Sequence, residues 1–178
     1  MKRNAFFGSL AVAALLVLTA CAKADHDHPA DNDNGRDKTT TSAAAAPLEL
    51  TTYKSATCGC CKLWVEHAGG NGFEVDAQDV DDLNGIKEKY GIAPALQSCH
   101  TSVSPSGYVF EGHVPAKLIR QFLQNPPANA RGLAVPAMPL GSPGMEVGDR
   151  FTPYKVLLLH SDGSHSVYAS IDQFEQQH

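Results

Sequence analysis

Three cysteines fall within four residues at Cys58-Gly59-Cys60-Cys61, and Cys99 stands farther along beside His100. Crowded thiols suit two chemistries, exchange with a disulfide and capture of a soft metal ion, and the thiolate is the working form in both. The run follows an extended apolar stretch, Leu48 to Tyr53, and opens what reads as a short helix, Cys61 to Ala68. Unpaired backbone N–H groups and the dipole at a helix N-terminus favour the thiolate there. A structural disulfide is the plainer alternative in an exported protein. Adjacent Cys60 and Cys61 fit it poorly, because neighbouring side chains point in different directions.

A second unusual stretch, Gly132 to Glu146, is rich in Pro and Gly, so it reads as a long ordered loop, and such loops are usually functional. It holds Met138 and Met145, and the third methionine of the chain is Met1. A lone methionine is ordinarily core filler, but two in one loop of a Met-poor chain weigh toward ligands. Thiolate and thioether together suit Cu(I), whereas zinc has little use for Met. Cysteine sulfur can bridge, so Cys58, Cys60, Cys61 and Cys99 are better used holding several Cu(I) ions than ringing one. Among the histidines, His100 and His113 are candidate ligands. His67 reads as facing solvent or capping its helix end, and His160, His165 and His178 as surface residues.

The elements that must position these groups follow an α/β pattern. Leu48–Tyr53 alternates as a strand, the first helix ends at Gly69-Gly70, and Phe73-Glu74-Val75 begins a second strand. Asp81 is placed to cap a second helix with Leu83, Ile86 and Tyr90 on one side and Gly91 as its stop. Tyr108–Phe110 reads as a short strand, and Pro115 opens a third helix with Leu118, Ile119, Phe122 and Leu123 as its stripe. Asn125-Pro126-Pro127 ends it. Val156–Leu159 is apolar throughout, as in a strand covered on both faces, and Asp162-Gly163 turns the chain back through Val167–Ala169. Strand, Cys-x-x-Cys at a helix mouth, then alternating elements predict a thioredoxin-like mixed sheet with flanking helices over residues 48–178. Cys60 departs from that pattern, since a dithiol exchange enzyme has no need of a third sulfur.

The flanks bound compartment and partners. A net charge of -5 with no Lys/Arg run excludes a nucleic-acid surface. Met1-Lys2-Arg3 followed by apolar Ala5–Leu18 reads as an export signal rather than a membrane span. Leu18-Thr19-Ala20-Cys21 resembles a bacterial lipobox, with simple cleavage near Ala20 or Ala22 as the alternative. Acyl chains on Cys21 would then anchor the protein to a membrane without a spanning helix. Ala22 in the next position points to the outer membrane. Residues 22–47 are poor in large apolar side chains and read as a disordered tether, in which His26 and His28 are expected to be solvated. With Cys21 lipidated, the other four cysteines leave two disulfides in three connectivities open.

Thr57–Trp64, Ser98–Thr101, Glu111–Ala116, and Gly132–Pro139 with Gly141–Glu146 together resemble the CopG-type copper-resistance proteins, from about residue 50 to 170. The resemblance implies a thioredoxin-like fold, an envelope location, and a cysteine-bridged multinuclear copper site. It implies service in copper detoxification, with Cu(I)/Cu(II) interconversion as the enzymatic form and other envelope copper-handling proteins as partners. Carried over by position, the sulfur ligands are Cys58, Cys60, Cys61, Cys99, Met138 and Met145. The rival reading is a thiol–disulfide oxidoreductase with Cys58 as nucleophile and Cys61 as resolving thiol. It leaves Cys60, Cys99 and the two-Met loop unused. A structural zinc module is weakened by the methionines.

Overall fold

A computed structural model describes residues 48–178. The expected export signal, the lipobox at Cys21 and the tether with His26 and His28 lie outside the described residues. The chain runs β1 (Leu48–Lys54), α1 (Gly59–Gly70), β2 (Phe73–Asp79), α2 (Leu83–Lys89), a 3-10 turn (Pro94–Leu96), β3 (His100–Val103) and β4 (Val109–Glu111). It continues through α3 (Ala116–Gln124), β5 (Ala130–Ala134), β6 (Tyr154–His160), β7 (His165–Ile171) and a closing 3-10 turn (Phe174–Gln177). Among the described residues no helix is long and apolar enough to cross a membrane.

The strands form one mixed sheet in the order β2-β1-β3-β4-β5-β6-β7. β1 and β2 are parallel and joined through α1, while β3 runs antiparallel to both β1 and β4. With α3 following β4, these elements make the thioredoxin-like arrangement expected. β5 extends the sheet parallel to β4, and the β6–β7 hairpin completes it antiparallel. The register sets Lys54 opposite His100, Thr101 opposite Glu111, and Glu111 opposite Ala134. The ends of β1, β4 and β5 and the start of β3 therefore meet at one edge of the sheet. Ligand sites of α/β sheets commonly lie at the carboxyl ends of the strands.

Burial of apolar faces holds the layers together. Leu50, Trp64, Phe73, Phe110, Ile119, Phe122, Leu133 and Val156 belong to one buried cluster that joins α1 and α3 to the sheet. Phe122 sets its ring edge-on to Tyr108 and Phe110, at 5.0 and 5.7 Å between centroids.

Several boundaries differ from expectation, each for a local reason. α1 begins at Gly59 because Cys58 caps it, its sulfur accepting the Cys61 N–H at 3.3 Å, and it runs two residues past Ala68 to end at Gly70, with Asn71 as its C-cap. Asp82, not Asp81, caps α2 by accepting the Gly85 N–H at 2.8 Å. The buried side chain of α2 is Lys87, whereas Leu83, Ile86 and Tyr90 are only half-buried. α3 starts at Ala116, one residue after Pro115. β3 and β5 were not expected as strands. In β5, Gly132 marks a close approach rather than a loop: a Cβ there would lie 1.7 Å from the Val109 carbonyl oxygen of β4. The Pro/Gly segment therefore begins at Val135 rather than Gly132.

Candidate metal centre

The helix mouth and the start of β3 bring the sulfurs together. Cys58 and Cys61 form a disulfide, with their Cα atoms 5.3 Å apart. Cys60 and Cys99 are free thiols, each half-buried. Cys60 Sγ lies 3.6 Å from Cys58 Sγ and 4.0 Å from Cys99 Sγ, and the Cys61 sulfur faces the Cys99 carbonyl at 3.6 Å. All four sulfurs are within 4.8 Å of one another. With metal–sulfur bonds of about 2.3 Å, one ion between two sulfurs sets them no more than about 4.6 Å apart. The Cys58–Cys60 and Cys60–Cys99 pairs, at 3.6 and 4.0 Å, meet that spacing.

Cys99 is shared with a second group. One donor atom each from Cys99, His100 and His113 also lie within 4.8 Å of one another. His113 Nε2 is 2.9 Å from Cys99 Sγ, and His100 Nδ1 is 3.3 Å from it. A carbonyl oxygen only accepts, so His113 Nδ1–H donates to Pro143 O at 2.8 Å, which leaves the Nε2 lone pair aimed at the sulfur. His100 packs between the rings of Trp64 (4.5 Å) and His113 (5.1 Å), and its buried Nε2 has no hydrogen-bond partner. Trp64 is itself pinned by its indole N–H donating to Val114 O at 3.0 Å.

Burial governs the proton affinities here. The Cys99 thiol is pushed up to about 12, first by desolvation and then by the neighbouring Cys60. Desolvation pushes His100 well below the ordinary histidine value, with His113 and Lys87 adding to the effect. His113 is lowered by burial too, against the opposing influence of the Pro143 hydrogen bond. Both imidazoles are thus neutral donors at neutral pH, the form that ligates metal.

The two-Met segment reaches this centre mainly through its backbone. Ala137 N–H donates to Gln97 O at 3.2 Å, and the Ser98 hydroxyl donates back to Ala137 O. Gly144 lies so close to α1 that a Cβ would sit 2.7 Å from both Cys60 O and Trp64 N, and its φ of +84° also demands glycine. The segment therefore lies across Cys99, His113 and the helix mouth together. Met138 itself is 49% exposed, and Met145 is half-buried beside Gly144.

The remaining histidines stand apart. His67 does not face solvent or cap its own helix: its Nε2 accepts the Ala116 N–H at 3.2 Å, capping α3, whose Pro115 offers no side-chain cap. His160 bonds the Ser166 hydroxyl at 2.9 Å, and His165 and His178 are exposed. Sequence reasoning missed Pro143, whose main-chain oxygen carries no residue signature. It also missed Glu111, although a carboxylate ending an apolar strand was a visible signal.

The matches to other proteins agree with one another. Residues 96–145 match the family model described as "Protein of unknown function, DUF411". No curated protein matches. Two solved structures, of the copper resistance protein copG in its form 1 and form 2, align with TM-scores of 0.66 and 0.67 at 42% identity. Each alignment covers 70% of this chain and 98% of the other. The chain therefore belongs to the family of that copper resistance protein.

Proposed function

We propose that this protein holds Cu(I) in a thiolate-bridged, multinuclear site for copper resistance, in the bacterial envelope. The observation that carries the reading is the double membership of Cys99, whose sulfur belongs both to the four-sulfur group and to the histidine pair. A sulfur placed between two donor sets is suited to bridging. Copper is cargo here, taken up by Cys58, Cys60, Cys61 and Cys99 with His100 and His113, and with Met138 and Met145 on the segment that crosses the site. Soft sulfur donors favour Cu(I) over harder ions. Supporting the envelope location are the export signal and lipobox read from the sequence, which would tether the domain to a membrane through Cys21.

The Cys58–Cys61 disulfide sets the state of the site. An external thiol reductant that supplies two electrons and two protons breaks the S–S bond and frees two thiols, completing the set of four. In the reverse direction the dithiol can reduce two Cu(II) to two Cu(I), forming the S–S bond and releasing two protons. That balance couples copper redox cycling to the same pair. Anaerobic Cu(I) titration before and after disulfide reduction tests the proposal. More than one copper per chain in the reduced protein, and less in the oxidised, is expected; equal, substoichiometric binding in both states would end it.

The disulfide at the helix mouth favours a second reading, thiol–disulfide exchange with Cys58 as nucleophile and Cys61 as resolving thiol. Insulin reduction separates the two. Strong reductase activity without copper binding supports exchange; copper binding with negligible reductase activity supports the first reading.

A further inference from the structure

We infer that Glu111 and Lys87 are positioning residues for Cys99: the Glu111 carboxylate fastens the segment that carries this sulfur, and Lys87 holds the carboxylate in place. The inference rests on the copper reading above. Glu111 ends β4 with its side chain wholly buried, and Lys87 on α2 is almost as fully enclosed, its Nζ 2.5 Å from Glu111 Oε1. The same Oε1 accepts the Ser98 N–H at 2.6 Å, and Oε2 accepts the Thr101 hydroxyl at 2.6 Å. Lys87 Nζ also donates to Thr101 Oγ1 at 3.1 Å, closing a ring of three side chains.

Two of these bonds bracket Cys99-His100. Ser98 precedes β3, so no strand ladder holds its N–H, and the carboxylate takes the place of one. From that fastened point the next residue sends its sulfur toward Cys60 at 4.0 Å and His113 at 2.9 Å. A buried ion pair is a weak source of stability compared with an apolar pair of similar volume. Its geometry supplies another reason for charge at this place, because three donors converge on one carboxylate and two of them belong to the segment carrying Cys99. Groups that orient metal ligands typically change metal affinity about 10–100-fold when removed.

The test compares the full chain with Glu111→Gln and with the double variant Lys87→Met/Glu111→Leu, which leaves no charge unpaired and so preserves the fold. In metal-free protein, maleimide alkylation mapped by mass spectrometry should show Cys99 reacting several-fold faster relative to Cys60 in both. Cu(I) affinity, read by competition with a chromophoric chelator, should fall about 10–100-fold in both. Lys87→Arg, which keeps a cation, should retain most of the native alkylation ratio and affinity. An unchanged alkylation ratio in the double variant overturns the inference, as does an affinity loss that merely follows the melting temperature across the variants. If the unaltered chain binds no Cu(I), the copper reading fails instead, and the alkylation ratio still decides whether Glu111 positions Cys99.

Discussion

The mouth of α1 and the β3–β4 end of the sheet meet at one centre but are built in opposite ways. At the helix mouth, Cys58, Cys60 and Cys61 come from four consecutive residues, and Cys58 and Cys60 remain half-exposed. On the sheet side, the adjacent Cys99-His100 and the more distant His113 come from two segments, and both histidines are wholly buried. The first side is the one open to solvent, where an incoming ion would enter. The second is preorganised: Trp64 packs on His100, and the Pro143 carbonyl fixes the tautomer of His113. An accessible sulfur set can capture an ion, whereas a desolvated, hydrogen-bonded set decides how it is held.

The largest expected effect is on the exposed side. Cys60→Ser should lower Cu(I) affinity at least about a thousandfold, ~4 kcal/mol, while leaving circular dichroism and melting temperature close to native. His113→Ala should act more mildly, about 10–100-fold, because it removes one ligand of the rigid set. Chelator competition on both variants checks this order, and equal losses would erase the distinction between capture and holding. Gly144→Ala drives a methyl into Cys60 O and the Trp64 backbone at a positive φ. It should cost about 2 kcal/mol in denaturant melts and weaken copper binding on both sides together.

Acid probes the buried histidines, with His67 adding to the two in the centre. Below pH 6.5 the unfolded chain protonates its histidines, while burial keeps folded His100 and His113 neutral. The unfolded state then binds more protons, so stability falls as pH drops, by up to about 1.4 kcal/mol per histidine for each pH unit. Thermal melts of metal-free protein from pH 7.5 to 5 should show this loss, reduced in His100→Phe, and an unaltered slope in that variant would discredit the burial argument. The smallest effect belongs to Met138→Leu, since that side chain is half in solvent. We expect less than about a threefold change in Cu(I) affinity, under ~0.7 kcal/mol; a larger loss would bring the methionine into the ligand set.

What the residues announced in advance was whatever is written locally. The β1-α1-β2 unit follows from hydrophobic period and a Cys-rich helix start, and four sulfurs in a soft-metal pattern need no fold to be noticed. β3 escaped because His-Thr-Ser-Val is polar yet buried: its hydroxyls find partners across the sheet, as Thr52 does with Ser102 at 2.9 Å. β5 escaped because Arg131-Gly132 interrupts its apolar residues. Lys87 carried no signal of its own, since only the fold supplies Glu111 to receive it. Main-chain acceptors such as Pro143 O leave no trace in composition at all.

Pairing between β1 and β3 carries a liability of its own. Lys54 faces His100 and Tyr53 faces Thr101, and no disulfide or glycine bulge locks that alignment. Because side chains alternate across a sheet, sliding β3 by one position would turn its outward set inward and carry residue 99 away from the helix mouth. Such a slipped conformer would keep every thiol yet no longer gather the four sulfurs at one place. The hydroxyl pair Thr52–Ser102 is therefore one of the bonds that keep residue 99 at the helix mouth.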